Sequence, residues 1–414
     1  MQTSDNATSL SSLLSLAEFY KARGDSAKYE KYLLAAKSQQ EQFGLTDVET
    51  VTVEKLLTLY HSKNFEQLFA LQSVCEADPH LSELFFTLAC SASFANHEPE
   101  KALLLAKHLK NPEQRRLRQK TAELWPQIFK PLPASEQPRV HLLLLSFNRI
   151  NYVEQALREL AATNYENYAV YIADNGSEDG TLEIVKRARE IFPAHIPVSV
   201  EALPTNIGRP AGHNWLLTAH DHSQAEFIAI GDDDLTKVPA NWLQNMVQTA
   251  RAFPGCACVG GKALNGDNPS IVHGGVRNFT AFDWEGPRLT NGGDQEDIGQ
   301  FDFIDIVDHV IGCLHIYSRS ALEEVGLFDI RFSPCQYVDI DHHLRLCLAE
   351  QKIIFNGLIS FEHMQAMGKA AQKDSALGGN SFGNMVKIAY KHNHAQVVET
   401  INNRHQARNT WLGF

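Results

Sequence analysis

Phe227-Ile228-Ala229-Ile230-Gly231-Asp232-Asp233-Asp234 decides how the rest of the chain is read. An apolar run that stops abruptly in three aspartates has the pattern of a buried strand with a charged tip. Two carboxylates about 4 Å apart repel by roughly 1 kcal/mol in water and by about 4 kcal/mol at an effective dielectric near 20. Clustered beside a core they call for a cation, and hard oxygen ligands suit Mg²⁺ or Mn²⁺. Standing alone, such a triplet is more often a solvated acidic turn. The neighbouring sequence has to decide.

Upstream, Val140-His141-Leu142-Leu143-Leu144-Leu145 is another short apolar run, closed by the polar turn Ser146-Phe147-Asn148-Arg149. Tyr168-Ala169-Val170-Tyr171-Ile172-Ala173 is a third, closed by Asp174-Asn175-Gly176-Ser177-Glu178-Asp179-Gly180-Thr181. Helical patterns follow these turns at Tyr152 to Leu160 and at Thr181 to about Ile191. Strand, polar turn and helix in repetition predict an α/β fold with a mostly parallel sheet and helices on both faces. In such sheets ligands bind beyond the carboxyl ends of the strands. All three polar turns therefore fall on one rim.

The remaining chain divides around this block. Residues 1 to 130 show helical periodicity without strand alternation, and the Leu-Ala-x-x-Tyr, Gly-Asp and Ala-Ala pattern at residues 16 to 36 resembles a tetratricopeptide repeat. A plain helical bundle fits the same pattern. Further helical pairs are expected at Leu56 to Phe65 and at Leu84 to Leu109. Pro131, Pro133 and Pro138 mark a linker over 131 to 138, so the α/β domain is expected over 139 to 365. Residues 366 to 414 read as a polar, Gly-rich flexible segment followed by helices from Phe382 and from Gln396, with Trp411 and Phe414 placed to dock back.

Bulk properties restrict the partners. With 414 residues, 44% hydrophobic and 21% charged, the chain is globular and long enough for two or three domains. A net charge of -12 opposes a nucleic-acid footprint or an anionic membrane surface. No apolar run approaches the about 18 residues of a membrane span, and Met1-Gln2-Thr3-Ser4-Asp5-Asn6 is not a signal-peptide start. A cytoplasmic location follows, with no transmembrane segment. The cysteines are odd in number, and Cys256-x-Cys258 lacks a second pair at zinc spacing, so reduced core thiols are expected.

Taken in order, Ser146-x-Asn148-Arg149, the Asp174 to Thr181 turn, Asn206-x-Gly208 with Asn214, and the aspartate triplet resemble the nucleotide-binding half of family 2 glycosyltransferases. These are inverting enzymes of the GT-A fold. Gly312-Cys313, Val325-Gly326-Leu327-Phe328-Asp329 and Asp339-Ile340-Asp341-His342-His343-Leu344-Arg345 are similar to the acceptor half, and His363 stands where members often carry a histidine after the last strand. Two positions depart from the family pattern. Val338 replaces a common glutamate, and Gly212-His213-Asn214 replaces Ala-Arg-Asn, leaving Arg209 as a substitute cation.

The resemblance implies an Mn²⁺- or Mg²⁺-dependent transfer of sugar from a nucleoside-diphosphate sugar to a glycan, lipid-linked or protein hydroxyl. Asp234 then corresponds to the principal metal ligand, with His363 as a second ligand or a diphosphate contact. Asp232 faces the ribose, and Asp233 turns aside because consecutive residues cannot all aim at one point. Asp174 receives the base N–H of a UDP- or dTDP-type donor. Ser146, Asn148, Arg149, Asn175, Asn206, Gly208, Arg209 and Asn214 complete the donor site. Asp339 is the implied general base, whereas Asp341 and Arg345, at i and i+4, read as a structural ion pair. His342 and His343 point about 100° apart on a helix and cannot share one ion. A protein partner is expected at the N-terminal helices, which would recruit a protein or lipid-linked acceptor, and the alternative is a helical-repeat adaptor with a catalytically inactive transferase-like domain. A nucleotidyltransferase would need a Gly-rich phosphate loop where Ser146-Phe147-Asn148-Arg149 stands.

Overall fold

The structure, a computed structural model, describes residues 51–364 and 375–414, together with Lys28, Glu30, Lys31, Tyr32 and Leu34. Apart from those five helical residues, the repeat-like pattern at 16 to 36 lies outside the described residues. The chain forms two compact units. One runs to Arg115 and takes in Ile298–Gln300; the other comprises Arg116–Asp297 and Phe301–Phe414.

The first unit is helical among its described residues: α1 (Val53–His61), α2 (Phe65–Ala70), α3 (Gln72–Ala77), α4 (Pro79–Ala95) and α5 (Pro99–Ala106). Thr52 caps α1 by accepting from the Lys55 N–H at 3.1 Å, satisfying one of the orphan donors at that end. Leu56, Leu68, Phe85, Phe86 and Leu88 close a core of their own. The Tyr60 and Ser91 hydroxyls bond at 2.6 Å across it.

Helix α6 (Pro112–Ile128) crosses the division, and its Leu117 and Ile128 are buried in the second unit. There the chain runs through β1 (Val140–Ser146), α7 (Val153–Ala161), β2 (Tyr168–Asp174), α8 (Thr181–Lys186), α9 (Ala188–Ile191), β3 (Val198–Ala202), α10 (Arg209–Ala219), β4 (Phe227–Gly231), β5 (Leu235–Thr236), α11 (Trp242–Ala252) and β6 (Cys256–Asn265). Then follow β7 (Ile271–Gly274), the hairpin β8 (Phe279–Asp283) and β9 (Gly286–Leu289), β10 (Gln295–Glu296), β11 (Ile304–Val307), β12 (Leu314–Ser318), α12 (Arg319–Val325), α13 (Val338–Leu348), β13 (Lys352–His363), α14 (Ser375–Lys391) and α15 (His394–Leu412).

The large sheet is ordered β10-β7-β6-β12-β4-β1-β2-β3, with β13 pairing β6, β11 and β5. Strands β4, β1, β2 and β3 are parallel, as the strand-turn-helix repetition requires. Strand β12 enters antiparallel between β4 and β6. Alternation divides the apolar runs between the two faces: Leu142, Leu144 and Ala229 enter one core, and Leu143, Ile228 and Ile230 enter the other. Both faces being covered, these strands read as continuous apolar runs.

The C-terminal helices begin earlier than the sequence suggests. Helix α14 starts at Ser375, so Gly378, Gly379 and Asn380 are helical. Tertiary contacts override the weak propensity: the Asn384 amide donates to the Phe332, Cys335 and Gln336 carbonyls at 3.1, 2.9 and 2.9 Å. Helix α15 is tied to the sheet by Arg408 on the fully buried Asp305 at 2.6 Å and by Arg404 on Asp308 at 2.6 Å. Trp411 docks against Phe253, with ring centroids 5.9 Å apart, while Phe414 stays exposed. All seven cysteines are free thiols. No helix among the described residues is long and apolar enough to cross a membrane.

Candidate active site

The parallel register places Ser146 beside Asp174, and Gly231 beside Leu144, so the polar turns after β1, β2 and β4 share one rim. The aspartate triplet leaves β4 in three directions. Asp233 turns back toward β1, where its Oδ2 accepts from the Ser146 hydroxyl at 2.6 Å and from the Phe147 N–H at 3.2 Å. Burial and the neighbouring Asp234 push its carboxyl up to about 7. Asp234 faces inward and is almost fully buried.

Strand β5 begins immediately after the triplet and pairs antiparallel with the end of β13, His363 opposite Leu235. The Met364 N–H then bonds the Asp234 carbonyl at 3.0 Å. This short ladder sets the His363 imidazole beside the acids. Its Nε2 lies 2.9 Å from Asp234 Oδ1 and 3.5 Å from Asp232 Oδ2. One ligand atom from each of Asp232, Asp234 and His363 falls within 4.8 Å of the others. Neighbouring ligands of an octahedral ion with bonds of 2.0 to 2.1 Å stand roughly 3 Å apart. His363 Nδ1 is buried without a hydrogen-bond partner, and the polar contact of Asp234 Oδ1 is its ion pair with His363. Two carboxylates and one imidazole fit Mn²⁺ or Mg²⁺, and Asp232, expected at the ribose, has the position of a ligand as well.

Two arginines flank this group. Arg209, in the first turn of α10, pairs with Asp232 at 2.7 Å and donates to the Gly312 carbonyl at 2.8 Å. Burial pushes the Asp232 carboxyl up, but Arg209 and His363 hold it well below the ordinary range. Arg149 Nε lies 3.4 Å from Asp234 Oδ2 and 3.7 Å from Asp233 Oδ1, with no hydrogen bond at that nitrogen. The Arg149 side chain as a whole is 40% exposed, at the rim.

Asp174 accepts from the Gly176 and Ser177 N–H groups at 3.2 and 2.9 Å through Oδ2 alone. Its Oδ1 is buried and unpartnered, the disposition of an acceptor awaiting a donor. Gly176 adopts φ +77°, and a Cβ there would meet the Thr205 backbone at 2.6 Å, so the turn requires glycine.

Other expected donor-site residues brace the loops. Asn148 takes the Glu178 N–H on its side chain at 2.9 Å, and its own N–H bonds Ser177 Oγ at 2.9 Å. Asn175 bonds Asn206 at 3.0 Å and accepts from Ile207, and Asn206 in turn accepts from the Gly208 N–H at 2.8 Å. Asn214 is apart from the rim: both its amide atoms are used on the Phe328 backbone, at 2.7 and 2.9 Å.

Asp339 lies in the first turn of α13, after Gln336 and Tyr337, both in the left-handed region at φ +72° and +63°. Its side chain is 31% exposed. It rests on Gly312, where a Cβ would approach Asp339 Oδ2 to 2.8 Å. Arg209, bonded to both Asp232 and Gly312, thus spans the interval between the aspartate triplet and Asp339. Burial pushes the Asp339 carboxyl up, yet the imidazoles of His309, His343 and His315 and the guanidinium of Arg209, the permanent cation of the four, hold it below its ordinary value. The ionised form required of a base is the result.

Asp341, by contrast, is fully buried and meets Arg345 at 3.3 Å, Lys391 at 2.7 Å and His392 at 3.0 Å. His342 bonds the Gly326 carbonyl at 3.1 Å, and His343 bonds His309 at 2.8 Å, so the two adjacent histidines diverge. Gly312 as the seat of Asp339, and His309 beside it, were not singled out by sequence; Gly312 is legible only through the Gly-Cys dipeptide after β11, and His309 carries no motif.

Residues 142–326 match the family model described as glycosyl transferase family 2. The match spans the turns from Ser146 to Asp234 and Gly312, and ends before Asp339 and His363. One curated relative, the uncharacterized protein y4gI of Sinorhizobium fredii (strain NBRC 101917 / NGR234), is 30% identical over 166 residues, covering 38% of this chain. The chain spans 17% of that relative's length. Among solved structures, the mannosyltransferase PcManGT from Pyrobaculum calidifontis, in complex with GDP-Man and Mn²⁺, is 14% identical with a TM-score of 0.42, over 75% of this chain and 88% of that one. S. aureus TarS is 15% identical with a TM-score of 0.41, over 64% and 43%.

Proposed function

We propose that the chain is a divalent-metal-dependent, inverting glycosyltransferase that moves a sugar from a UDP- or dTDP-type donor to a hydroxyl of a glycan, lipid-linked or protein acceptor. The observation that carries this reading is the convergence of Asp232, Asp234 and His363 at one end of the sheet, joined through Arg209 and Gly312 to Asp339. Bound there, Mn²⁺ or Mg²⁺ supplies Lewis-acid stabilisation of charge developing on the departing diphosphate.

The chain's own residues do the rest. Asp174 Oδ1 accepts the imide N–H of the base. Arg149 turns its guanidinium to the phosphates, a fork-shaped partner for their oxygens. Asp339 takes the proton of the acceptor hydroxyl as its oxygen attacks the anomeric carbon from the face opposite the diphosphate. The new C–O bond forms as the bond to the diphosphate breaks, and configuration inverts. The helices of the first unit are assigned the recruitment of a protein or lipid-linked acceptor.

Calorimetry with UDP, dTDP, GDP and ADP, each with and without Mn²⁺, tests the donor half. Metal-dependent binding of a uracil or thymine nucleotide is expected. Absence of metal-dependent binding of any nucleotide would leave the inactive adaptor as the better reading.

A further inference from the structure

Behind Asp339 lies a file of buried polar side chains that the transfer chemistry does not use directly. His309 Nε2 stands 3.9 Å from Asp339 Oδ2, and its Nδ1 meets His343 Nδ1 at 2.8 Å. On the far side of His343, Nε2 is 3.0 Å from the Tyr317 hydroxyl and 3.6 Å from Cys258 Sγ. The file is drawn from the segment after β11, from α13, β12 and β6.

Its polarity follows from counting protons. Burial pushes the His309 imidazole well below its ordinary value and His343 down to about 4, so each ring is neutral and carries one N–H. Burial also pushes the Tyr317 phenol and the Cys258 thiol well up, and both stay protonated. Two protonated groups converge on His343 Nε2. If that nitrogen were the donor, the buried Tyr317 hydroxyl would accept, and its own proton would lack this acceptor, which is costly for a buried group. Tyr317 therefore donates to Nε2, and the His343 proton is on Nδ1. His309 Nδ1 must then be the acceptor, which fixes the His309 proton on Nε2, the nitrogen facing Asp339. At 3.9 Å that contact is longer than a hydrogen bond, and catalytic contacts commonly tighten only when substrate binds.

We propose that His309 is a positioning residue, its tautomer set by Tyr317 through His343, so that an N–H rather than a lone pair faces Asp339 and keeps the carboxylate ionised and turned to the acceptor. The inference rests on the reading of Asp339 as the base. The other groups facing Asp339 are Arg209 on α10 and His315 on β12, whose two ring nitrogens have no hydrogen-bond partner; Arg277, after β7, faces His309.

The test is long-range ¹H–¹⁵N correlation of the full chain labelled with ¹⁵N-histidine, His309 and His343 being assigned through His309→Gln and His343→Gln. The wild type is expected to show His309 protonated on Nε2 and His343 on Nδ1. Tyr317→Phe should abolish that preference in both rings together, and Cys258→Ser, which retains a donor, should keep it. In sugar transfer, Tyr317→Phe should move the acid limb of the pH profile up by roughly one unit, with UDP and Mn²⁺ affinity unchanged. Finding His309 protonated on Nδ1 in the wild type, or both rings unaltered in Tyr317→Phe, would overturn the relay. The spectra need no turnover, so the predicted tautomers in a protein that Asp339→Asn leaves fully active would uphold the relay and remove Asp339 as the base.

Discussion

The two sides of the candidate site are built differently. On the donor side, Ser146, Asp174 and the aspartate triplet follow parallel strands directly, so sheet register alone assembles them. On the acceptor side, Asp339 is carried by the first turn of a helix, follows two left-handed residues, and is seated on a glycine belonging to another segment. Register makes the first arrangement robust to side-chain changes. The second depends on close packing at single atoms.

Asp339→Asn breaks the acceptor side alone: transfer should fall by up to about 10⁴-fold, while calorimetry finds nucleotide and Mn²⁺ bound as before. Near-normal transfer by this variant would mean that another group takes the proton. Asp234→Asn attacks the donor side, with about a 10³-fold loss expected together with the loss of Mn²⁺-dependent nucleotide binding. Gly312→Ala asks how finely the base is seated. The added methyl would lie 2.8 Å from the Asp339 carboxylate, and a displacement near 1 Å should cost about 10²-fold in kcat at constant nucleotide affinity. An unchanged kcat would show that the seat is not needed.

Ser146→Ala is milder. It removes one bond to Asp233, about 1.5 kcal/mol, and should weaken donor binding roughly tenfold. Smallest at neutral pH is the effect of acid on the C-terminal clamp. Burial pushes the Asp308 and Asp341 carboxyls up, but His405 and Arg404 on the first, and His392, Lys391 and Arg345 on the second, hold both below their ordinary value. A depressed native pKa gives stability that is present above the unfolded value, about 4, and is lost as pH falls through the native one. Hydrogen exchange should therefore show α14 and α15 losing protection below about pH 4, ahead of the strands.

The parallel half of the sheet was legible because each strand is an apolar run stopped by a polar turn, the local signature of burial on both faces. The antiparallel β12 was not, since Leu314 to Ser318 carries the same apolar content in either direction. Helix α14 was read too short for a related reason: what holds Gly378 and Gly379 helical is Asn384 bonding carbonyls far away in sequence. Within the site, residues at strand ends could be placed on the rim from spacing alone. Asn214 could not, because its motif is intact while its amide is spent on Phe328. His309 had no sequence signal at all, its meaning arising from a ring-to-ring contact with a helix.

The pairing of β5 with the end of β13 has a thermodynamic consequence. It is a two-residue ladder, too short to persist alone, and it is what sets Asp234 beside His363. An ion gripping both residues would act as a removable cross-link across the long stretch of chain between them. Because the unfolded chain cannot present both ligands together, ion binding adds to folding stability by mass action. Metal concentration would thus set how firmly β5 and the aspartate turn before it are fastened to β13, whose end β6 also pairs, and loss of the ion would loosen that turn before the rest of the fold.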